Sequence, residues 1–360
     1  MALRANFASS YILSVRSLRH GRVNLKGRTY TNPVCSVYFA DPFAWESGGE
    51  YYAVGTGSSE AEGCVQNPSH IFPLLRSPDL VNWRACGGAL VPPASSLGDT
   101  YWAPEVAYAE GQWWLYYSVG HADRMHHLRV ASSDDPLGPY VDRTALTDPA
   151  ECPFAIDPHP FRDKDGRWYL FHARDFLDLT DEAGQPARVG TALVVYPLLS
   201  MTELSREGRT VARARCDWQR FAANRQMYDR LFDWHTLEGP CVMQRDGRYY
   251  CFYSGGCWRT DTYGVDYVVA DSVLGPYCDA GVETGPRVLR SVPGKVLGPG
   301  HCSIVASPDE TTHYLVYHAW GADSSARRMH IDPLIFTSEG PRSTGPTWTE
   351  QPLAFRAVSS

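Results

Sequence analysis

No stretch of the sequence approaches the ~20 consecutive apolar residues that a membrane-spanning helix requires. The first 22 residues, MALRANFASSYILSVRSLRHGR, carry scattered arginines and no continuous apolar core, so they do not read as a secretory leader. A soluble, cytoplasmic protein is the expectation. A basic excess is also missing. Lys and Arg number 33 against 40 Asp and Glu, for a net charge of -7. Neutralising phosphates needs a basic patch, so nucleic acid is not an expected partner. None of the ten cysteines stands in a CxxC pair, which argues against zinc-ribbon and thioredoxin-like chemistry. They read as reduced and mostly buried thiols, although an even count also permits disulfides in an exported chain. No low-complexity linker or shift of composition divides the chain. Residues 1–360 therefore read as one domain, with roughly the first 20 residues as an arm. The sequence carries no signal of oligomeric state.

What is abundant is aromatic: 12% of residues, including 21 Tyr and 11 Trp. Aromatics favour strands, and exposed ones stack on sugar faces. They recur in a repeated unit. The segments are DPFAWESGGEYYAVGTG from Asp41, WAPEVAYAEGQWWLYYSVG from Trp102, DPHPFRDKDGRWYLFHARD from Asp157, EGPCVMQRDGRYYCFYSGG from Glu238 and HCSIVASPDETTHYLVYHAW from His301. Each leading residue stands eight positions before a turn residue: Gly49, Glu110, Asp165, Asp246 and Asp309. Gly48-Gly49, Asp165-Gly166 and Asp246-Gly247 suit tight hairpins. The outer pieces RSPDLVNW (76–83), ASSDDPLGPY (131–140) and ADSVLGPY (270–277) also look alike, and would supply third strands and exit turns. The leading residues are 61, 55, 81 and 63 positions apart. Four-stranded blades repeat at roughly 40–50 residues plus loops, so the fold expected is all-β, a five-bladed β-propeller. The long interval implies an insertion over 176–233, polar and without the repeat, read as loops or an extended blade.

Equivalent positions in propeller blades ring one axis. Asp41, Trp102, Asp157, Glu238 and His301 are thereby expected to face one funnel. Glycoside hydrolysis commonly uses two carboxyl groups, one as acid and one as base or nucleophile, and a third nearby would raise the acid's pKa. A single Asp-Pro is ordinarily only a turn; two Asp-Pro steps and a Glu-Gly-Pro in register are more than that. A lone histidine is more often structural than a ligand. The cluster His121, His126 and His127 lacks a zinc spacing.

FADPFAW (39–45), WAPEV (102–106), AIDPHPF (155–161), LEGP (237–240) and GPGHCSIV (298–305) together resemble glycoside hydrolase family 43, the arabinanase, arabinofuranosidase and β-xylosidase group. The resemblance runs from about Asn32 to Phe336. It implies an inverting hydrolase acting on oligosaccharides, with Asp41 as the general base, Glu238 as the general acid and Asp157 orienting and tuning that acid. Trp102 would wall the terminal sugar subsite. In YHAWGADSSARRMHIDPLIF (317–336) an arginine would reach a sugar hydroxyl, and Arg328 is chosen over Arg327. His301 would lie beneath the centre, either binding a calcium ion through water or simply hydrogen-bonding. No cofactor is required. The activity expected is an exo-acting α-L-arabinofuranosidase. β-Xylosidase and endo-arabinanase are the neighbouring readings, and a non-catalytic glycan-binding propeller is the remote one.

Overall fold

The computed structural model describes residues 28–57, 71–307 and 310–353. The N-terminal arm, Cys64 and the turn residue Asp309 lie outside the described residues. The chain is built almost entirely from antiparallel meanders. Three are four-stranded sheets, opening at Ala40–Ser47, Thr100–Ala109 and Val296–Ala306. Two more, opening at Ala155–Arg162 and Arg230–Arg245, share a nine-stranded sheet through a short parallel pairing of Gly190 and Thr191 with His235 and Thr236. The five opening strands touch one another in a closed cycle, the last against the first. The fold is a β-propeller, and each meander is a blade numbered here in chain order. The ring closes where Val34 and Phe39 donate backbone hydrogen bonds to Met329 and Arg327 of the last blade. Among the described residues the helical content is two short 3-10 turns, Ser95–Leu97 and Asp217–Gln219.

The aromatic runs explain how the blades pack. A strand buried on one face alternates apolar and polar residues, whereas one buried on both faces reads as a continuous apolar run. Tyr52 and Val54 pack toward the second blade, while Tyr51 and Ala53, one residue out of phase, pack toward the fifth. The other buried clusters sit likewise between the second and third, third and fourth, and fourth and fifth blades. The core is thus a set of apolar slabs between neighbouring blades. None of the nine described cysteines forms a disulfide, and five of them are buried.

A second feature sets the inner strands. Each carries a bulge at a residue with positive φ: Asp41 (48°), Ala103 (47°), Asp157 (59°), Gly239 (56°) and His301 (49°). Four of the five are followed by proline, at 42, 104, 158 and 240. Proline has no N–H to give a ladder, and within a sheet it is tolerated at a bulge. Four bulge N–H groups are caught by the preceding blade: Asp41 by His318 Nδ1 (3.1 Å), Ala103 by Thr56 Oγ1 (2.8 Å), Gly239 by Asp157 Oδ2 (2.8 Å) and His301 by Ser254 Oγ (2.6 Å). These bonds fasten successive blades at the level of the axis. Thr56→Val keeps the shape but leaves the Ala103 N–H unpaired, so it should destabilise the fold by about 1–3 kcal/mol, read from the denaturant midpoint at unchanged m-value.

The bulges also correct the eight-residue register. Equivalent positions are Asp41, Ala103, Asp157, Gly239 and His301, so Trp102 and Glu238 stand one residue earlier than their counterparts. The segment 176–233 is corrected in part. Gly190–Ser200 is the third strand of the third blade, with Ala192–Val195 buried. The genuine extension is the hairpin of Arg220–Met227 against the first part of Arg230–Arg245.

Candidate active site

The bulges bring the three acids to one buried cluster. Asp41 lies against His301 Nδ1 (3.4 Å), His318 Nδ1 (3.1 Å) and Arg327 Nη1 (3.3 Å), all measured to its Oδ1. Burial alone would push its carboxyl up, but Arg327, His301 and His318 hold it well below the usual carboxylate range. Asp41 is therefore ionised. His318 and His301 are both held down by burial, His318 to about 4, so they are neutral near pH 7 and arrange hydrogen bonds rather than charge.

Glu238 has the opposite environment. Burial and the charge of Asp41 push its carboxyl up to about 7, against a 2.6 Å hydrogen bond donated by the Tyr263 hydroxyl to Oε1. Asp157 is raised by burial and by the charges of Glu238 and Asp41, while the Gly239 N–H opposes the rise. The two carboxyls interact, so they titrate as a pair that retains a proton where Asp41 has long lost its own. Asp157 also grips the backbone amide immediately after Glu238, which fixes the acid's strand. His301 stands between Asp41 and Asp157, 3.9 Å from Asp157 Oδ2.

Around this centre the sequence-derived residues separate. Trp102 is half-buried and stacks on His126 with centroids 3.7 Å apart and planes 16° apart. His126, part of the discounted histidine cluster, is thus the plate behind Trp102. Burial lowers it to about 4, and its Nε2 bonds the Ala122 carbonyl. The choice of Arg328 is corrected. Its guanidinium turns to Ser36 O and Ser325 Oγ, whereas its neighbour Arg327 reaches Asp41 and the Tyr38 hydroxyl and lies 4.3 Å over the Trp258 ring. On a strand, adjacent side chains face opposite ways, so only one of two neighbouring arginines can point to the axis. Trp258 lies against Arg327 and stacks on Trp320, while Tyr253 is packing, buried and bonded by Gln219. Tyr263 and His318 were not singled out from the sequence. Among the described residues no three His, Cys, Asp or Glu side chains come together as a metal site. A calcium ion held at His301 through water would need no such cluster.

Beneath the acids, two positions past the bulge, Glu105 and His159 form a buried pair at 2.7 Å, and His159 Nε2 accepts from the Val242 N–H at 3.0 Å. That acceptance places the imidazole proton on Nδ1, toward Glu105.

An ionised carboxylate and a proton-holding carboxyl in one funnel are what hydrolysis of a glycosidic bond uses. Comparison with known proteins agrees. Residues 30–341 match the model of glycosyl hydrolases family 43. The chain is 27% identical to the beta-D-galactofuranosidase xynD of Aspergillus niger over 353 residues, covering 90% of this chain and 88% of that protein. It is 26% identical to the extracellular endo-alpha-(1->5)-L-arabinanase 1 of Bacillus subtilis over 321 residues, 84% and 86% of the two chains. The crystal structure of a thermostable family-43 glycoside hydrolase superposes with a TM-score of 0.75 at 28% identity, over 90% of this chain and 98% of that one. With the acids, the fold and these likenesses agreeing, the chain belongs to glycosyl hydrolases family 43 and is a glycoside hydrolase.

Proposed function

We propose that the protein is an inverting, exo-acting α-L-arabinofuranosidase that releases terminal arabinose from arabino-oligosaccharides, with Asp41 as general base, Glu238 as general acid and Asp157 as the residue that positions and tunes the acid. The observation that carries the mechanism is the opposed electrostatics of Asp41 and Glu238. A base has to be ionised before it can activate water, and an acid has to keep its proton until the leaving oxygen needs it. The Arg327 guanidinium serves the first requirement; burial and the charge of Asp41 serve the second. Trp102, backed by His126, offers a flat apolar wall for a sugar ring.

The choice of sugar rests on relatives. The names of both reported relatives are those of enzymes acting on five-membered-ring glycosides, which favours a furanoside over a xylopyranoside. The exo assignment rests on the hairpin of the fourth blade, whose Arg225 and Tyr228 reach the second and third blades. Nitrophenyl α-L-arabinofuranoside, β-D-xylopyranoside and β-D-galactofuranoside, assayed beside linear arabinan, test the reading. The arabinofuranoside should be cleaved fastest, and arabinan should yield monomer from its ends. Faster cleavage of another glycoside, or early oligomers from arabinan, would overturn it.

The pH profile carries its own test. The alkaline limb belongs to the Asp157–Glu238 pair and should fall near pH 7. Asp157→Asn removes a negative neighbour, so the limb should move to lower pH. Tyr263→Phe removes a hydrogen bond that favours ionised Glu238, so the limb should move to higher pH. A limb that stays put in both variants would show that neither residue tunes the acid.

A further inference from the structure

The hairpin that extends the fourth blade ties that blade to two others. It runs antiparallel to the strand that carries Glu238, from Arg220 to Met227 against Arg230 to His235. Its partners lie in other blades. Arg225 Nη2 meets Asp123 Oδ2 at 3.2 Å, in a turn of the second blade. The Tyr228 hydroxyl donates to Asp175 Oδ2 at 2.8 Å, on the third. A segment of the fourth blade that reaches the second has to pass over the third, so the hairpin spans the rim beside the acid. The Arg225 guanidinium is seated over Phe221 and Trp234, 4.5 and 5.7 Å from their ring centres. Its charge is felt by Glu238 and by Cys257.

The turn adds a separate indication. Tyr228 and Asp229 both have positive φ, 48° and 62°, where a two-residue turn of this kind ordinarily takes Asn-Gly. A tyrosine held in that region is strained, and strain of this sort persists where the surroundings and the side chain's task require it. Here the surroundings include a half-buried carboxylate, Asp175, also bonded by Thr191 Oγ1 at 2.9 Å. Tyr228 itself remains 39% exposed.

We propose that this hairpin is the leaving-group subsite, with Arg225 hydrogen-bonding the hydroxyls of the sugar unit next to the scissile bond and Tyr228 offering that unit a stacking face. This rests on the assignment of Glu238 as the acid, because the leaving oxygen lies on the side of the group that protonates it. Arg225 has donors beyond the one given to Asp123, and a guanidinium fork suits vicinal hydroxyls. The class of ligand is a neutral saccharide unit of the substrate.

The test compares two substrates of the same glycone, taking whichever sugar the wild-type protein releases fastest. One is the unmodified disaccharide; the other is the glycosyl fluoride, whose leaving group occupies no sugar subsite. Arg225→Ala should lower kcat/KM on the disaccharide by roughly 10–100-fold, the range of a lost hydrogen bond to a charged group, chiefly through KM. On the fluoride it should stay within about twofold. Asp123→Ala, which frees the guanidinium without removing it, should move the same ratio in the same direction by less. Equal losses on both substrates, or none on the disaccharide, would overturn the subsite. A failure of the acid assignment shows separately, as a Glu238 variant whose loss does not depend on the leaving group.

Discussion

Asp41→Asn is expected to lose about 10³–10⁴ in kcat on every substrate, whatever its leaving group, near the upper end of what a positioned base contributes. The substitution keeps the shape of the side chain and removes only its charge, and the water must still be activated when the leaving group is good. Stability should change with it, and the direction follows from linkage. A carboxyl whose folded pKa lies below its unfolded value of ~3.9 contributes stability that is fully present above that value and is lost as pH falls through the folded pKa. Asn cannot make that contribution at any pH, and it takes the Asp41 charge away from the buried Arg327. The same depression places the acid limb of the wild-type rate below the ordinary carboxylate range. Steady-state kinetics on one natural and one dinitrophenyl substrate, with a melting curve, check the expectation. Activity of the Asn variant within tenfold of wild type would remove Asp41 from the role of base.

Glu238→Ala should behave differently. On natural saccharides, whose alkoxide leaves only when protonated, a loss of ~10³ or more is expected. On a dinitrophenyl glycoside, whose phenolate leaves unaided, the loss should fall to within about tenfold. The variant should also lose the alkaline limb near pH 7 on the activated substrate. For this group the linkage runs the other way. Its folded pKa is raised, so stability declines as pH climbs from the unfolded value to about 7, and Glu238→Gln should flatten that decline. The acid is thus held protonated at some expense of stability. Equal losses on both kinds of substrate would contradict the assignment.

Much of this was legible in the sequence because a repeat reports geometry. Asp-Pro at 41 and 157 marks two bulges directly, and the aromatic runs mark strands buried on both faces. The register failed where it was keyed to chemistry instead of to backbone. Trp102 and Glu238 looked like the leading residues of their units, but Ala103 and Gly239 precede Pro104 and Pro240 and hold the bulge. An alignment on proline would have found the offset. The third strand of the third blade was missed because the polar stretches on either side of Thr191–Tyr196 outweighed it. Arg327 could not be told from Arg328 without knowing which face of Arg327–Thr337 meets the axis. Tyr263 carries no repeat signal, whereas His318 occupies the second-strand position that Thr56 and Ser254 hold in their blades, opposite the residue before the bulge, and was passed over as part of an aromatic run. Tyr263 sits in the connection after the second strand of its blade, and His318 faces Asp41 where the fifth blade closes against the first.

The central claim is that one carboxylate activates water while another protonates the leaving oxygen. Proton NMR of the first-formed sugar, recorded before mutarotation, tests it most directly. Inversion at the anomeric carbon is the predicted result, since attack by an Asp41-activated water on the face opposite Glu238 allows no other outcome. A first-formed product that retains the substrate's configuration would mean that a carboxylate attacks the sugar itself, and would contradict the mechanism assigned to Asp41 and Glu238.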